Sequence, residues 1–95
     1  MSTQIDRFKD IILDVLKRHD VKRASLFGSI VRGEMTQDSD IDILVEFQGQ
    51  KSLLNLGGLK VELEEELNCK VNVLTYNSLH PLLKEQILAE KIEIL

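Results

Sequence analysis

The chain has 95 residues, a formal net charge of −4 and an apolar fraction of 43%, which is typical of one globular domain with a modest core. The acidic balance argues against direct binding of nucleic acids, which favour a basic protein surface. The sequence contains neither an apolar signal-peptide core nor an apolar run near the roughly 20 residues of a membrane span. We therefore expect a single cytoplasmic domain over residues 1–95 with no membrane partner.

The first third of the chain predicts a helix, a strand and a second, short helix. Residues 4–19 carry apolar side chains at helical spacing, which indicates an amphipathic helix. Residues 24–27 form a short apolar run that ends at Gly28, as in a strand that stops at a tight turn. Residues 29–32 then predict a short helix that ends at Gly33.

The rest of the chain predicts two more strands and two more helices. Alternating apolar residues over 41–45 indicate a strand. A helix over 52–67 begins at an expected Ser52 cap and ends at Asn68. Residues 71–74 form a third strand, and a last helix over 79–90 is expected to be capped by Asn77 or Ser78. This order predicts an α/β (α+β) fold, a small three-stranded mixed sheet with flanking helices.

The pair Asp40-Ile41-Asp42 predicts a metal site. Alternate strand residues share a face, so both carboxylates project together, about 6–7 Å apart along the strand. Two carboxylates this close repel each other unless a cation lies between them. Mg²⁺ prefers a few carboxylates together with phosphate oxygens of a substrate. We therefore predict that Asp40 and Asp42 bind a divalent metal ion.

The pair Gly28-Ser29, which ten intervening residues separate from Asp40, predicts a phosphate site. Glycine lets the backbone approach a phosphate closely, and the helix start with the Ser29 hydroxyl offers donors to an anion. Arg32, one turn later, has a guanidinium that suits bidentate phosphate binding. Taken alone, each motif is more often a turn or a solvated loop edge. Their joint spacing favours nucleotidyl transfer.

The stretch from residue 24 to 45 resembles the nucleotidyltransferase superfamily that includes DNA polymerase beta, and it is most similar to the minimal nucleotidyltransferases. The resemblance is carried by Gly28-Ser29-Ile30-Val31-Arg32-Gly33 and by Ser39-Asp40-Ile41-Asp42-Ile43. Chain length and element order extend it over nearly the whole sequence. It implies a polymerase-beta-like fold in which Gly28 and Ser29 hold the triphosphate of ATP. It also implies that Asp40 and Asp42 are catalytic and bind Mg²⁺.

The resemblance further implies a third carboxylate on the next strand, and here the sequence departs from the family. The matching position is Asn72. An amide carries no charge and cannot accept a proton near pH 7, whereas a general base contributes about 10²–10⁴ in rate. Glu34, Asp38 and Glu46 are substitutes only if the loop folds back. The alternative interpretation makes Asn72 a structural polar residue on a strand face.

Minimal nucleotidyltransferases often act as antitoxins of HEPN-domain ribonuclease toxins, which implies a HEPN toxin partner in a hetero-oligomer. Some relatives transfer AMP from ATP to a toxin tyrosine, and others neutralise the toxin by binding. Two functions therefore stay open: an Mg²⁺-dependent protein adenylyltransferase, and an inactive antitoxin of the same fold. A third, a transferase for a small molecule, lacks the acceptor-binding domain that larger relatives carry.

The sequence allows simple predictions for three further features. Cys69 is expected to be a small, partly buried apolar residue and not a catalytic thiol. His19 and His80 are expected at the surface, and the cluster of Glu62, Glu64, Glu65 and Glu66 is expected on a solvated helix face and not at a metal site. The apolar residues Ile92, Ile94 and Leu95, at the end of the sequence, indicate either a terminal strand or a contact surface.

Overall fold

The computed structural model describes residues 3–33, 40–49 and 53–95, and it confirms the predicted order of helices and strands with two additions, a 3₁₀ turn and a fourth strand. The elements are α1 (Thr3–Arg18), β1 (Val21–Phe27), α2 (Ser29–Arg32), β2 (Ile41–Phe47), α3 (Leu53–Leu67), β3 (Val71–Thr75), a 3₁₀ turn (Tyr76–Ser78), α4 (Pro81–Glu90) and β4 (Ile92–Glu93). No helix within these described ranges has the length and apolar character to cross a membrane.

The strands form one mixed sheet in the order β3-β2-β1-β4. Strand β1 runs antiparallel to both β2 and β4, and β2 runs parallel to β3. The predicted count of three strands is therefore wrong by one, because Ile92 pairs with Leu26 and Glu93 with Ser25 at the edge of the sheet. A strand of two residues is too short to show the alternation of apolar and polar residues that identifies a strand in sequence. It forms because the edge of β1 offers backbone groups for pairing.

Helices α1 and α3 pack against one face of this sheet and form the core. The buried apolar residues of this layer are Ile12, Val15, Leu16, Val21, Ala24, Leu26, Ile30, Ile41, Ile43, Val45, Leu59, Leu63, Leu67, Val71 and Val73. Alternation along β2 directs Ile41, Ile43 and Val45 into this layer, so Asp42 projects from the opposite face. The hydrophobic layer thereby determines which face of the sheet carries the polar site.

The last helix begins later than predicted, at Pro81. His80 adopts an extended conformation (ψ 135°), and its Nδ1 accepts a hydrogen bond from the Leu82 N–H at 3.1 Å. The expectation that Asn77 or Ser78 caps this helix is wrong, because a residue before proline avoids the helical region and so moves the start to the proline. Ser78 instead bonds the backbone of Thr75. The predicted Ser52 cap lies outside the described residues.

Glu62 joins α3 to the end of α1. Its carboxylate contacts the His19 ring, with 2.6 Å between Oε2 and Nε2, and also pairs with Arg18. His19 is accordingly only one-quarter exposed at its side chain. Both side chains stay partly exposed at the surface, and together they form a bridge between the helices that cover the core.

Candidate active site

The site is centred on Asp42, which lies on β2 between Phe27 of β1 and Asn72 of β3. Its carboxylate lies against Gly28: a Cβ built there would be 2.1 Å from Asp42 Oδ2. Gly28 also has φ +77° and ψ −148°, a conformation essentially restricted to glycine. Both space and backbone geometry therefore require glycine where the turn meets the carboxylate.

Asn72 brings the two predicted metal-binding carboxylates together. Its Nδ2 donates to Asp40 Oδ2 at 3.1 Å and to Asp42 Oδ1 at 3.0 Å. Strand pairing sets this arrangement, because Asp42 and Asn72 are partners in the parallel pair of β2 and β3. The residue at the expected third-acid position thus lies beside both aspartates.

The carboxylate of Asp42 is in an environment that disfavours its charge. Burial, the largest influence, raises its pKa above the ordinary 3.8, and the charge of Asp40 acts in the same direction. The hydrogen bond from Asn72 and the charge of Arg32 lower the pKa but do not cancel the rise. A divalent cation would stabilise the charged form of Asp42, because it would offset the effect of burial and the repulsion from Asp40.

Arg32 lies close enough to influence Asp42, but it also has a partner that the sequence did not reveal. Its Nη1 donates to Glu90 Oε1 at 2.9 Å. Glu90 is the last residue of α4, 58 positions away, and no local pattern connects the two. The Arg32 side chain keeps 47% of its surface exposed. Its guanidinium is therefore accessible from solvent although it is paired.

Ser29 opens α2 directly after Gly28, and packing holds this short helix in place. The side chain of Ile30 is fully buried in the core. The N–H groups of Val31 and Arg32 both donate to the Gly28 carbonyl oxygen, at 3.1 and 3.2 Å. The strand–turn–helix predicted around Gly28 is therefore formed, with Ser29 next to the glycine that contacts Asp42.

The oxygen atoms present suit a magnesium ion. Asp40 and Asp42 supply two carboxylates, and both accept a hydrogen bond from the Asn72 amide nitrogen. The Asn72 side chain also carries an amide oxygen, which is a third possible ligand. Mg²⁺ commonly uses one or two carboxylates with substrate phosphates and water, and this set provides them. Within the described parts of the chain, no three His, Cys, Asp or Glu side chains are grouped so that they could hold a metal ion together.

One of the three proposed substitutes for a third acid, Glu46, does not join this set. Glu46 lies four residues beyond Asp42, about 13 Å along the strand, and it faces Lys22 at 3.6 Å and Arg23 at 3.7 Å. Glu34 and Asp38 are outside the described residues. Among the residues that the structure describes, Asn72 is thus the polar group adjoining both aspartates.

This arrangement, a Gly-Ser turn beside an Asp-x-Asp strand in a small mixed sheet, is that of a nucleotidyltransferase. Residues 7–94 match the family model of the nucleotidyltransferase domain, and the chain belongs to that family. The predicted resemblance and fold class are confirmed.

Three known proteins illustrate the similarity. A candidate protein adenylyltransferase of Methanocaldococcus jannaschii is 57% identical over 91 residues, which are 96% of this chain and 98% of the relative. The structure of a candidate minimal nucleotidyltransferase is 36% identical with a TM-score of 0.82, over 96% of this chain and 93% of the other.

The third is a chain from the complex of a tri-AMPylated Shewanella oneidensis HEPN toxin with an MNT antitoxin. It has a TM-score of 0.75 at 20% identity, over 100% of this chain and 72% of the other. At this identity the likeness shows the fold alone.

Proposed function

We propose that this protein is an Mg²⁺-dependent protein adenylyltransferase that transfers AMP from ATP to a HEPN toxin and so acts as its antitoxin. The observation that carries the proposal is the convergence of Asp40 and Asp42 beside the Gly28-Ser29 turn. The similarity to a candidate adenylyltransferase over nearly the full length of both chains supports the reaction. The fold shared with a chain of a HEPN toxin–MNT antitoxin complex supports the partner.

Each site residue has a role in this reaction. Gly28 allows the triphosphate to approach the backbone, Ser29 donates its hydroxyl to a phosphate oxygen, and Arg32 adds a positive charge. Asp40 and Asp42 hold Mg²⁺, which when bound supplies the charge that stabilises the α-phosphoryl oxygens in the transition state. The acceptor oxygen bonds to the α-phosphorus, the bond from that phosphorus to the β-phosphate bridging oxygen breaks, and pyrophosphate leaves.

The acceptor's proton has no carboxylate at the third position to receive it, because Asn72 is neutral and non-basic. Solvent or a basic group of the bound partner takes the proton in this scheme. The absence of a positioned base predicts a rate about 10²–10⁴ below that of a relative with a carboxylate at this position.

The same residue supports a second candidate function, an antitoxin that neutralises its partner by binding alone. A protein whose active site has lost the general base keeps its fold but loses catalytic turnover. Two leucines on different helices are apolar positions available to a partner, since Leu54 of α3 is 86% exposed and Leu82 of α4 is 84% exposed. In this alternative the aspartates contribute nothing to neutralisation.

A transfer assay separates the two candidates. The protein, co-purified with the product of its neighbouring gene, is incubated with α-labelled ATP and Mg²⁺. The wild type is compared with Asp42→Asn and Asn72→Asp. Label on the partner that disappears with Asp42→Asn establishes AMP transfer. Label with Asn72→Asp alone overturns the adenylyltransferase proposal for this chain.

A growth assay tests the alternative. Under the adenylyltransferase proposal, the Asp40→Asn/Asp42→Asn double variant binds the toxin but does not neutralise it in cells. Neutralisation that survives the double substitution instead establishes the binding antitoxin, whatever the outcome with labelled ATP.

A further inference from the structure

The amide of Asn72 holds both aspartates in a fixed position. Its Nδ2 lies 3.1 Å from Asp40 Oδ2 and 3.0 Å from Asp42 Oδ1. The backbone that carries it is constrained, because β3 pairs with β2 in register and the Ile41 N–H donates to the Lys70 carbonyl at 3.0 Å. The amide N–H group occupies the point towards which both carboxylates are directed, where a cation is expected.

The charges at this point match one divalent ion. Two carboxylates carry −2, and one Mg²⁺ or Mn²⁺ neutralises them. Sites with two metal ions bring the ions to about 3.5–4 Å and rely on carboxylates to offset their repulsion. Asn72 contributes an oxygen without charge, and no further His, Cys, Asp or Glu joins the aspartates within the described ranges. Among the residues that the structure describes, a second ion would therefore find no further charged ligand.

We infer that Asn72 makes this a site for a single divalent cation, a deduction that rests on the metal site of the proposed function. Before metal binds, the Nδ2 group holds the two aspartates together and reduces their repulsion. When the ion enters, the amide rotates about its terminal bond and presents its Oδ1 to the metal. The substitution Asn72→Asp raises the charge of the three side chains to −3 and creates a site for a second cation.

Direct metal titration of the full chain, without nucleotide or partner, tests this inference. Mn²⁺ is the probe, and free Mn²⁺ is followed by electron paramagnetic resonance alongside calorimetry. The expected stoichiometry is one ion for the wild type and two for Asn72→Asp. Asn77→Asp is the matched control, since it adds the same charge at an exposed position in the 3₁₀ turn, and it is expected to keep one ion.

Two further variants keep the result interpretable. The double variant Asp40→Asn/Asn72→Asp returns the charge to −2 and is expected to return the stoichiometry to one. Asn72→Ala removes the amide and is expected to bind one ion at least tenfold more weakly, as is usual when a group that orients metal ligands is lost. Thermal unfolding of each variant establishes that it is folded, and Asn72 is exposed, so its substitution is compatible with folding.

Specific outcomes overturn the inference. Two tightly bound ions in the wild type, or a single ion in folded Asn72→Asp, contradict the one-cation site. Wild-type affinity in Asn72→Ala contradicts the positioning role of the amide. Failure of AMP transfer leaves these readouts unchanged, since they measure binding to the isolated chain, so the inference and the proposed function fail separately.

Discussion

Asn72 and Asp42 face each other across the parallel strands β2 and β3, with 3.0 Å between the amide Nδ2 and the carboxylate Oδ1. The same nitrogen reaches Asp40 at 3.1 Å, so one neutral side chain reduces the repulsion between two acids. On its other side, the Asp42 carboxylate lies against Gly28. The aspartate is therefore confined between a hydrogen-bond donor and a backbone that has no room for a side chain.

Gly28→Ala is expected to impair both stability and metal binding. The added Cβ would lie 2.1 Å from Asp42 Oδ2, so the carboxylate must move, and the unusual backbone conformation costs about 1–3 kcal/mol for any residue other than glycine. The melting temperature, measured with and without Mn²⁺, is expected to fall and to lose its increase on metal addition.

Gly49→Ala provides the control for Gly28→Ala. Gly49 also has a positive φ, +69°, but a Cβ there meets nothing within 4 Å. This variant is expected to lose stability while keeping the full increase in melting temperature with Mn²⁺. A normal response to Mn²⁺ in Gly28→Ala would contradict the close contact described here.

Asp42→Asn is expected to stabilise the metal-free protein at neutral pH. Burial raises the pKa of Asp42 in the folded state, so its protonated form favours folding. That advantage is complete below the ordinary pKa of 3.8 and is lost as the pH rises through the raised value, above which the charged group destabilises the fold. Chemical denaturation at pH 7 should therefore show a more stable variant.

The difference between Asp42→Asn and wild type should vanish below about pH 3.8, the ordinary pKa of an aspartate, where both side chains are neutral. Asp10→Asn, on the exposed face of α1, serves as the control for a general loss of negative charge. If the metal-free Asp42→Asn variant were less stable than wild type at pH 7, the charged Asp42 carboxylate would not be destabilising the fold.

Glu62→Gln is expected to destabilise the protein at neutral pH. The hydrogen bond from His19 is the main influence that lowers the pKa of Glu62, and the charge of Arg18 also contributes. A lowered folded pKa stabilises the fold above the ordinary value of 4.5, and this stabilisation disappears as the pH falls through the lowered value. Melting temperatures at pH 7 and pH 3 should show a deficit that shrinks on acidification.

Glu65→Gln on the exposed side of α3 is the comparison for Glu62→Gln, and it is expected to change the melting temperature little. An effect of Glu65→Gln equal to that of Glu62→Gln would mean that the bridge between α1 and α3 is not specific to Glu62.

Cys69 is expected to report metal binding at the neighbouring aspartate. Burial, followed by the charges of Asp40 and Glu64, raises the pKa of the Cys69 thiol. Alkylation requires the thiolate, so iodoacetamide should react slowly with the metal-free protein at pH 8. Binding of Mg²⁺ offsets the charge of Asp40 and should accelerate the reaction, which mass spectrometry can follow. Asp40→Asn should be faster without metal and insensitive to it, and an unchanged wild-type rate would refute metal binding at Asp40.

Local patterns were sufficient to predict much of the architecture and the position of Asp42 beside the Gly28 turn. The apolar stripe of α1 and the alternation of β2 follow from helix and strand periodicities, and both lie where the pattern placed them. The strand that stops at Gly28 was predictable because glycine alone tolerates that turn. Period-two alternation likewise predicts that Asp40 and Asp42 share one face of the strand.

Contacts between distant parts of the chain were decided only by the tertiary structure. The ion pair of Arg32 with Glu90 spans 58 positions, and the short strand β4 exists only as a partner for β1. Position 72 was recognisable as a missing acid, but its hydrogen bonds to both aspartates depend on the register of two strands that 23 residues separate. Periodicity and turn chemistry act between near neighbours in sequence, whereas these contacts exist only after the sheet has brought distant backbones within hydrogen-bonding distance.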